Sequence, residues 1–394
     1  MNIQTLKGFR DFLPKEAKKR QYVLDILRKV FESYGFEPLE TPALEYEEVL
    51  TGKYGDEGEK LMYKFEDRGG RKVALRYDQT VPLARVVAQY ENELPMPFKR
   101  YQIQPVWRAE NTQKGRYREF LQVDIDTVGT ASPLSDAEVI EVATKSIEEL
   151  GIKKFKILVN DRSVFSKLPK EAITIIDKLK KIGREKVKDE LSKKNINVSI
   201  LSSIESIKPT ERIREILSIL NNPNVEFSPT LARGLDYYTG IIFEVEVEGY
   251  ESSIAGGGRY DKLIGMFSGK DIPAVGFSFG FDRLIEAMDE LKLFPKDIEI
   301  KSVLITIFSP ELMSKSIGLI NDLRSKNINC ELYLDDNASL EKQLKYADKK
   351  RIRFAVIIGP KEVKNGTVML KDLKNKIQKE VKIETLATAI KDAR

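Results

Sequence analysis

The sequence predicts an α+β protein. Its core is an antiparallel sheet with helices on the apolar side, with a small helical insertion at about residues 151–228 and a C-terminal α/β module over 299–394. Three observations predict this. Strand-like segments between 71 and 248 alternate apolar residues with Arg, Gln and acids, so each offers one core face and one polar face. The Lys/Glu-rich stretch AITIIDKLKKIGREKVKDELSKK interrupts them with helical patches. Beyond LKLFPKDIEIK the pattern becomes strand–helix–strand–helix–strand, as in a small sheet with parallel strands and right-handed crossovers.

Each element follows in chain order. Residues 15–34 form an amphipathic helix, with Val23, Leu24, Ile26, Leu27, Val30, Phe31 and Tyr34 at helical spacing and Gly35 as its stop. FEPLETPALEY is extended and broken by Pro38 and Pro42. From 71 to 129 the pattern is strand-like. RKVALRYD sets Val73, Leu75 and Tyr77 against Arg76 and Asp78, and KRYQIQPVWR sets Tyr101, Ile103 and Trp107 against Arg100, Gln102, Gln104 and Arg108. Pro105 fits the latter poorly, because proline belongs at an edge or bulge. REFLQVDIDTVG sets Leu121, Val123 and Ile125 against Phe120, Gln122, Asp124 and Asp126. Residues 136–150 are helical and end at Gly151, and FKILVND is a short strand that opens the insertion. IIFEVEVE returns to alternation. AVGFSFGFDRLIEAM reads as a strand, then Gly280, then a helix from Phe281. In the C-terminal module SVLITIF, INCELYL and FAVIIG are strands separated by the helices PELMSKSIGLINDLRSK and SLEKQLKYADKKR. An appended binding module and an oligomerisation domain both fit those residues.

Composition narrows the function. With 394 residues, 41% hydrophobic and 32% charged, the chain has core enough for two or three soluble domains. It has no run of about 18 apolar residues, so no membrane span is expected. MNIQTLKGFRDFLP has no apolar signal core, so a cytoplasmic chain is expected. A single cysteine, Cys330, leaves no disulfide framework and no Cys-based zinc site. The chain has no histidine, which removes Ser-His-Asp and Cys-His machinery and every imidazole metal site. A net charge of +5 permits a nucleic-acid partner without requiring one.

Three stretches carry the chemistry. In WRAENTQKGRYREF four cations, Arg108, Lys114, Arg116 and Arg118, bracket a Gly-containing hairpin. That is either a solvated loop or an anion cradle, since Arg binds phosphate bidentately. Phe120, on the polar face, could stack on a base. Arg283 lies in the first turn of its helix, where a cation opposes the macrodipole, so it is either a surface residue or a partner for an external anion. LARGLDYYTG crowds Arg233, Gly234, Asp236, Tyr237 and Tyr238 just before a strand. Neither G-x-x-x-x-G-K-[ST] nor G-x-G-x-x-G is present.

Together these stretches resemble a known family. FEPLETPALE, VWRAENTQKGRYREFLQVDIDTVG and AVGFSFGFDRL resemble motifs 1, 2 and 3 of class II aminoacyl-tRNA synthetases. RGLDYYTG and AGGGRYD resemble two segments peculiar to the histidyl-tRNA synthetase family, and the likeness spans nearly the whole chain. It implies a class II catalytic domain over 1–298 and an anticodon-binding domain over 299–394. The implied reaction is ATP-dependent activation of L-histidine to histidyl-adenylate and transfer to the 3′ end of tRNA(His), with release of AMP and pyrophosphate. The implied substrate complex is ATP with Mg²⁺, with no protein-bound zinc or other resident metal, and the implied assembly is a homodimer with Pro42 at its interface.

The resemblance also assigns residues. Arg108 would bind the α-phosphate, Arg283 the γ-phosphate and Arg116 a further phosphate oxygen. Glu110 would read the adenine amino group, Phe120 would stack on the ring, and Arg233 would be a second α-phosphate cation. Asp78, Gln79 and Thr80 would lie near the substrate's amino group with Gln122 beside them, while Arg108 and Arg233 border the same amino acid. Asp126 and Tyr238 would bracket the imidazole, with Tyr237 lining that pocket. Gln113 would face the tRNA acceptor end, where Asn111 and Thr112 replace the Arg-Pro usual in bacterial relatives. A regulatory paralogue, the synthetase-like subunit of ATP phosphoribosyltransferase, shares the fold but generally lacks the C-terminal domain.

Overall fold

The computed structural model describes residues 3–113, 115–232, 237–295, 298 and 303–393. The chain divides into two compact units, Met1–Phe294 and Pro295–Arg394.

The first unit begins with α1 (Pro14–Ser33) and the short strands β1 (Glu37–Pro38), β2 (Leu44–Tyr46), β3 (Lys64–Glu66) and β4 (Lys72–Leu75). Then come α2 (Thr80–Gln89), the long strands β5 (Phe98–Trp107) and β6 (Glu119–Val128), α3 (Pro133–Glu149) and β7 (Phe155–Asp161). After the insertion follow α4 (Glu211–Leu220), β8 (Val225–Phe227), β9 (Ile241–Val247), β10 (Ala255–Arg259), β11 (Ala274–Gly280) and α5 (Phe281–Glu290).

Eight strands form the main sheet in the order β1-β5-β6-β11-β10-β9-β7-β8. The six inner strands pair antiparallel, and β1 and β8 join the edges in parallel. Strand parity then decides what each face does. Val123, Ile125, Phe243, Val245, Val275 and Phe279 point into one core with Leu27 and Phe31 of α1, Ile140 and Ile147 of α3, and Leu284 and Met288 of α5. The opposite face is left for polar side chains. Helix starts follow local chemistry: Ser132 caps α3 by accepting from Leu134 N at 3.2 Å, with Pro133 as the first helical residue.

Three expectations need correction. First, RKVALRYD does not join the main sheet: β4 pairs antiparallel with β2 and β3 in a separate three-stranded sheet. Just beyond β4, Arg76 is buried, and its guanidinium donates to Thr41 O (2.6 Å), Pro105 O (2.8 Å) and Gln104 Oε1 (2.9 Å). This explains Pro105. β1 covers β5 only at Arg100 and Tyr101, so β5 has no strand on that side at Pro105, and Arg76 takes the open carbonyl.

Second, the run from 71 to 129 is broken by a helix, α2. Asp78 Oδ1 accepts from Thr80 N and Val81 N, both at 3.1 Å, which satisfies amides the first turn cannot pair. Val81, Leu83, Ala84 and Val87 bury its inner face. β-Branched residues and Pro82 hide this helix from propensity.

Third, the insertion is narrower than 151–228. β7 and β8 belong to the main sheet, and α4 buries Ile213 and Ile216 in the main core. The added helices lie between 162 and 210, around a small core of Ala172, Ile175, Val187, Leu191 and Leu201, while Phe165, Ile176 and Ile204 pack against Ile242 of β9. The return is clamped by charge. The fully buried Asp136 accepts from Arg212 Nε (2.7 Å) of α4 and from Arg259 Nε (2.9 Å) of β10.

The second unit contains β12 (Val303–Ile305), α6 (Met313–Ser325), β13 (Cys330–Leu332), α7 (Leu340–Lys349), β14 (Phe354–Ile357), β15 (Thr367–Asp372), β16 (Ile377–Lys382) and α8 (Leu386–Asp392). Its sheet order is β13-β12-β14-β15-β16. β12 pairs in parallel with β13 and β14, as the strand–helix alternation requires, and the antiparallel hairpin β15–β16 extends the edge. Among the described residues no helix is long and apolar enough to cross a membrane.

Candidate active site

The polar face of the main sheet floors a cavity of about 790 Å³. Phe120, Gln122, Asp124 and Asp126, the polar-face set read from parity in β6, all line it. Glycines in β10 and β11 bring the backbone close. Gly276 sits opposite Asp126 in register, and a Cβ there would collide with the Asp126 carboxylate and lie 2.5 Å from Ile125 O. A Cβ on Gly257 would run into Gly276 O and lie 2.6 Å from Phe277 Cβ. Only glycine allows this closeness.

The lining combines charges of both signs that differ in burial. Its arginines, Arg108, Arg116 and Arg283, are partly buried or exposed. Arg108, just past β5, donates from Nε to Tyr77 O at 3.0 Å, and its Cζ lies 4.3 Å from the Tyr77 ring centre and 5.2 Å from that of Phe120. Arg116 and Gln113 pair across the hairpin as an isolated bridge, with Gly115 at φ +70 making the turn. Arg116 Nη1 lies 3.6 Å from Glu110 Oε2. Arg283, in the first turn of α5, lines the cavity with Nη1 3.4 Å from Ser253 O.

The carboxylates Asp78, Asp124, Asp126 and Asp282 in the lining are buried. Asp78 is nearly saturated: Oδ1 accepts from Tyr54 Oη (2.9 Å) as well as the two α2 amides, and Oδ2 accepts from Tyr237 Oη (3.3 Å). Asp126 accepts from the Tyr260 hydroxyl, and its Oδ2 lies 2.7 Å from Arg100 Nη2. Burial raises the carboxyls of Asp78 and Asp126 above the usual carboxylate range, against the pull of hydrogen bonds and nearby arginines. Asp124 is pushed up to about 7, mainly by burial. Burial also raises the phenols of Tyr54, Tyr237 and Tyr260, so they remain donors at neutral pH.

Of the residues expected from sequence, Asp78, Thr80, Arg108, Glu110, Gln113, Arg116, Phe120, Gln122, Asp126, Tyr237, Tyr238 and Arg283 are brought together around this one cavity. Gln79 is not among the lining residues. It is fully buried, and Nε2 donates to Gln104 O (2.7 Å) and Gln122 O (3.3 Å), so it ties α2 to the sheet. Lys114, Arg233, Gly234 and Asp236 lie outside the described residues. Sequence reasoning missed Tyr54, Asp124 and Tyr260 as lining residues and Arg100 as the partner of Asp126. Parity already put Asp124 and Arg100 on the polar face, and Tyr260 lies in AGGGRYD. Tyr54, at the bend before the short helix Gly55–Leu61, had no signal.

Known proteins resemble the chain along most of its length. A family model described as histidyl-tRNA synthetase matches residues 8–212 and 199–284, and one described as an anticodon binding domain matches 302–393. The chain is 40% identical to a histidine–tRNA ligase of Cytophaga hutchinsonii over 93% of this chain and 94% of that one. It is 41% identical to a histidine–tRNA ligase of Aeropyrum pernix over 92% of each. Its structure resembles that of histidyl-tRNA synthetase from Nostoc sp. PCC 7120, with a TM-score of 0.85, 34% identity and full coverage of both chains.

Proposed function

The chain belongs to the histidyl-tRNA synthetase family, and from that premise we propose how its cavity works. It is a histidine–tRNA ligase, an enzyme that charges tRNA with histidine. The observation that carries the mechanism is one cavity lined both by partly exposed arginines and by buried carboxylates. ATP is held by the arginines and histidine by the carboxylates.

In the first step a histidine carboxylate oxygen attacks the α-phosphorus, the bond to the β-phosphate bridge breaks, and pyrophosphate leaves. Charge shifts between phosphoryl oxygens, so the protein must position and neutralise rather than move protons. Arg108 contacts the α-phosphate, Arg116 a further phosphate oxygen, and Arg283 the γ-phosphate. The role of second α-phosphate cation stays with Arg233. Phe120 stacks on the adenine, whose amino group faces Glu110. Among the described residues no group of three His, Cys, Asp or Glu side chains is placed to hold a metal ion. Magnesium would enter with ATP, bound chiefly by its phosphates. It would neutralise phosphate charge as the leaving group departs.

The histidine ammonium lies near Thr80 and Gln122, with Asp78 holding Tyr54 and Tyr237 around it. The imidazole sits by Asp126, Tyr237 and Tyr238. In the second step the 3′ end of tRNA(His) takes the histidyl group and AMP leaves, with Gln113 facing the acceptor end and the unit over 299–394 binding the anticodon. The enzyme acts in the cytoplasm as a homodimer. Leu44, Tyr46 and Phe65, all exposed on the small sheet, are an apolar patch a second copy could cover.

The test is histidine-dependent exchange between ATP and labelled pyrophosphate. Robust exchange is expected with histidine and not with phenylalanine or glutamine. Folded protein that gives no exchange would rule the mechanism out.

A further inference from the structure

Four buried carboxylates line the cavity, Asp78, Asp124, Asp126 and Asp282, and Asp282 is paired with Arg10 and Arg20. Asp78 accepts from two phenols and two amides, which fills about the four lone-pair sites of a carboxylate. Asp126 has one oxygen on the Tyr260 hydroxyl, and its Oδ2, which accepts no hydrogen bond, is compensated by Arg100 Nη2 at 2.7 Å. Asp124 has no such ion pair among the described residues. The Ser278 hydroxyl bonds to its carboxyl, but Oδ1 is buried and has no hydrogen-bond partner. Such an acceptor is costly unless a ligand supplies the donor. Gln122, two residues earlier on the same face of β6, has a buried Oε1 in the same state.

We propose that Asp124 is a specificity-determining residue, whose free carboxylate oxygen accepts an N–H from the imidazole of the bound amino acid. This rests on the histidine-activating reading of the cavity. Gln122 and Asp124 stand about 6.8 Å apart along the strand, two residues at roughly 3.4 Å each. That is the length scale of one amino acid laid along β6, its ammonium donating to Gln122 and its ring to Asp124. Asp126, held by Tyr260 and Arg100, forms the wall behind the ring. The bond is charge-assisted and water-excluded, so a side chain without a ring N–H would leave a buried carboxylate unpaired. The charges facing Asp124 fit this role. Arg100 on β5 favours its ionised form, while Asp126 on its own strand and Asp78 beside α2 oppose it. Burial opposes it most, so a donor from the ligand shifts the carboxyl towards its charged state.

The experiment measures pyrophosphate exchange against histidine concentration for Asp124→Ala and Asp124→Asn. The alanine variant should raise KM for histidine by about ten- to a hundredfold, with kcat and KM for ATP moving far less. The asparagine variant, which keeps an acceptor but loses the charge, should fall between it and the wild type. If alanine does not fold, asparagine carries the test because it preserves shape and volume. A KM for histidine within twofold of wild type in the folded variants overturns the proposal. Failure of the wild type to exchange would instead overturn the reading of the cavity, so the two outcomes are distinct.

Discussion

Arg108→Ala should lower the rate of pyrophosphate exchange by about 10²–10³-fold and leave the protein folded, since removing one preorganised donor from a developing negative charge has effects of that size. Its geometry explains why a single side chain matters so much. Tyr77 O receives Nε, and the Tyr77 and Phe120 rings flank the group. The guanidinium plane is thus fixed before substrate arrives, and little ordering remains at the transition state. Arg108→Lys should recover little, because an ammonium cannot donate to Tyr77 O and a phosphate with the same planar fork. The decisive measurement is exchange kinetics beside a thermal unfolding curve. Near-normal kcat in the folded alanine variant would remove Arg108 from the reacting centre.

Gly257→Ala should cost roughly 3 kcal/mol of stability, the upper range for forcing extra volume into packed structure. The added methyl would meet backbone rather than a flexible tip: Gly276 O, Phe277 Cα at 2.7 Å and Phe277 Cβ at 2.6 Å. β10 must then separate from β11, which disturbs the strand opposite Asp126. Both urea stability and histidine-dependent exchange should fall. A loss below about 0.5 kcal/mol would show that the two strands can part at little cost.

The strand parities were legible because the sheet has a packed face and a ligand face, and such a sheet writes its two sides as alternation. Thus Phe120, Gln122 and Asp126 could be placed from β6 alone, and Arg108 at the end of β5. α2 was not legible, because its first turn is stabilised by Asp78, which lies outside the helix, and its residues favour strands. Gln79 followed the family motif in sequence, yet its amide bonds to the carbonyls of Gln104 and Gln122, partners no local pattern reveals. Arg76 misled for a related reason. Its side chain joins three segments, and alternation registers only the strand it leaves.

The helices between 162 and 210 leave the sheet from β7 and return through α4 to β8, the strand hydrogen-bonded beside β7. Both attachment points are secured independently of what lies between them: the first by the β7–β9 ladder, the second by the Ile213 and Ile216 core and the Arg212–Asp136 bond. Closing a longer loop between fixed ends costs only about 0.6 kcal/mol per doubling of its length. Length can therefore change within the excursion while the sheet beneath keeps its register, provided that Phe165, Ile176 and Ile204 remain to cover Ile242 of β9.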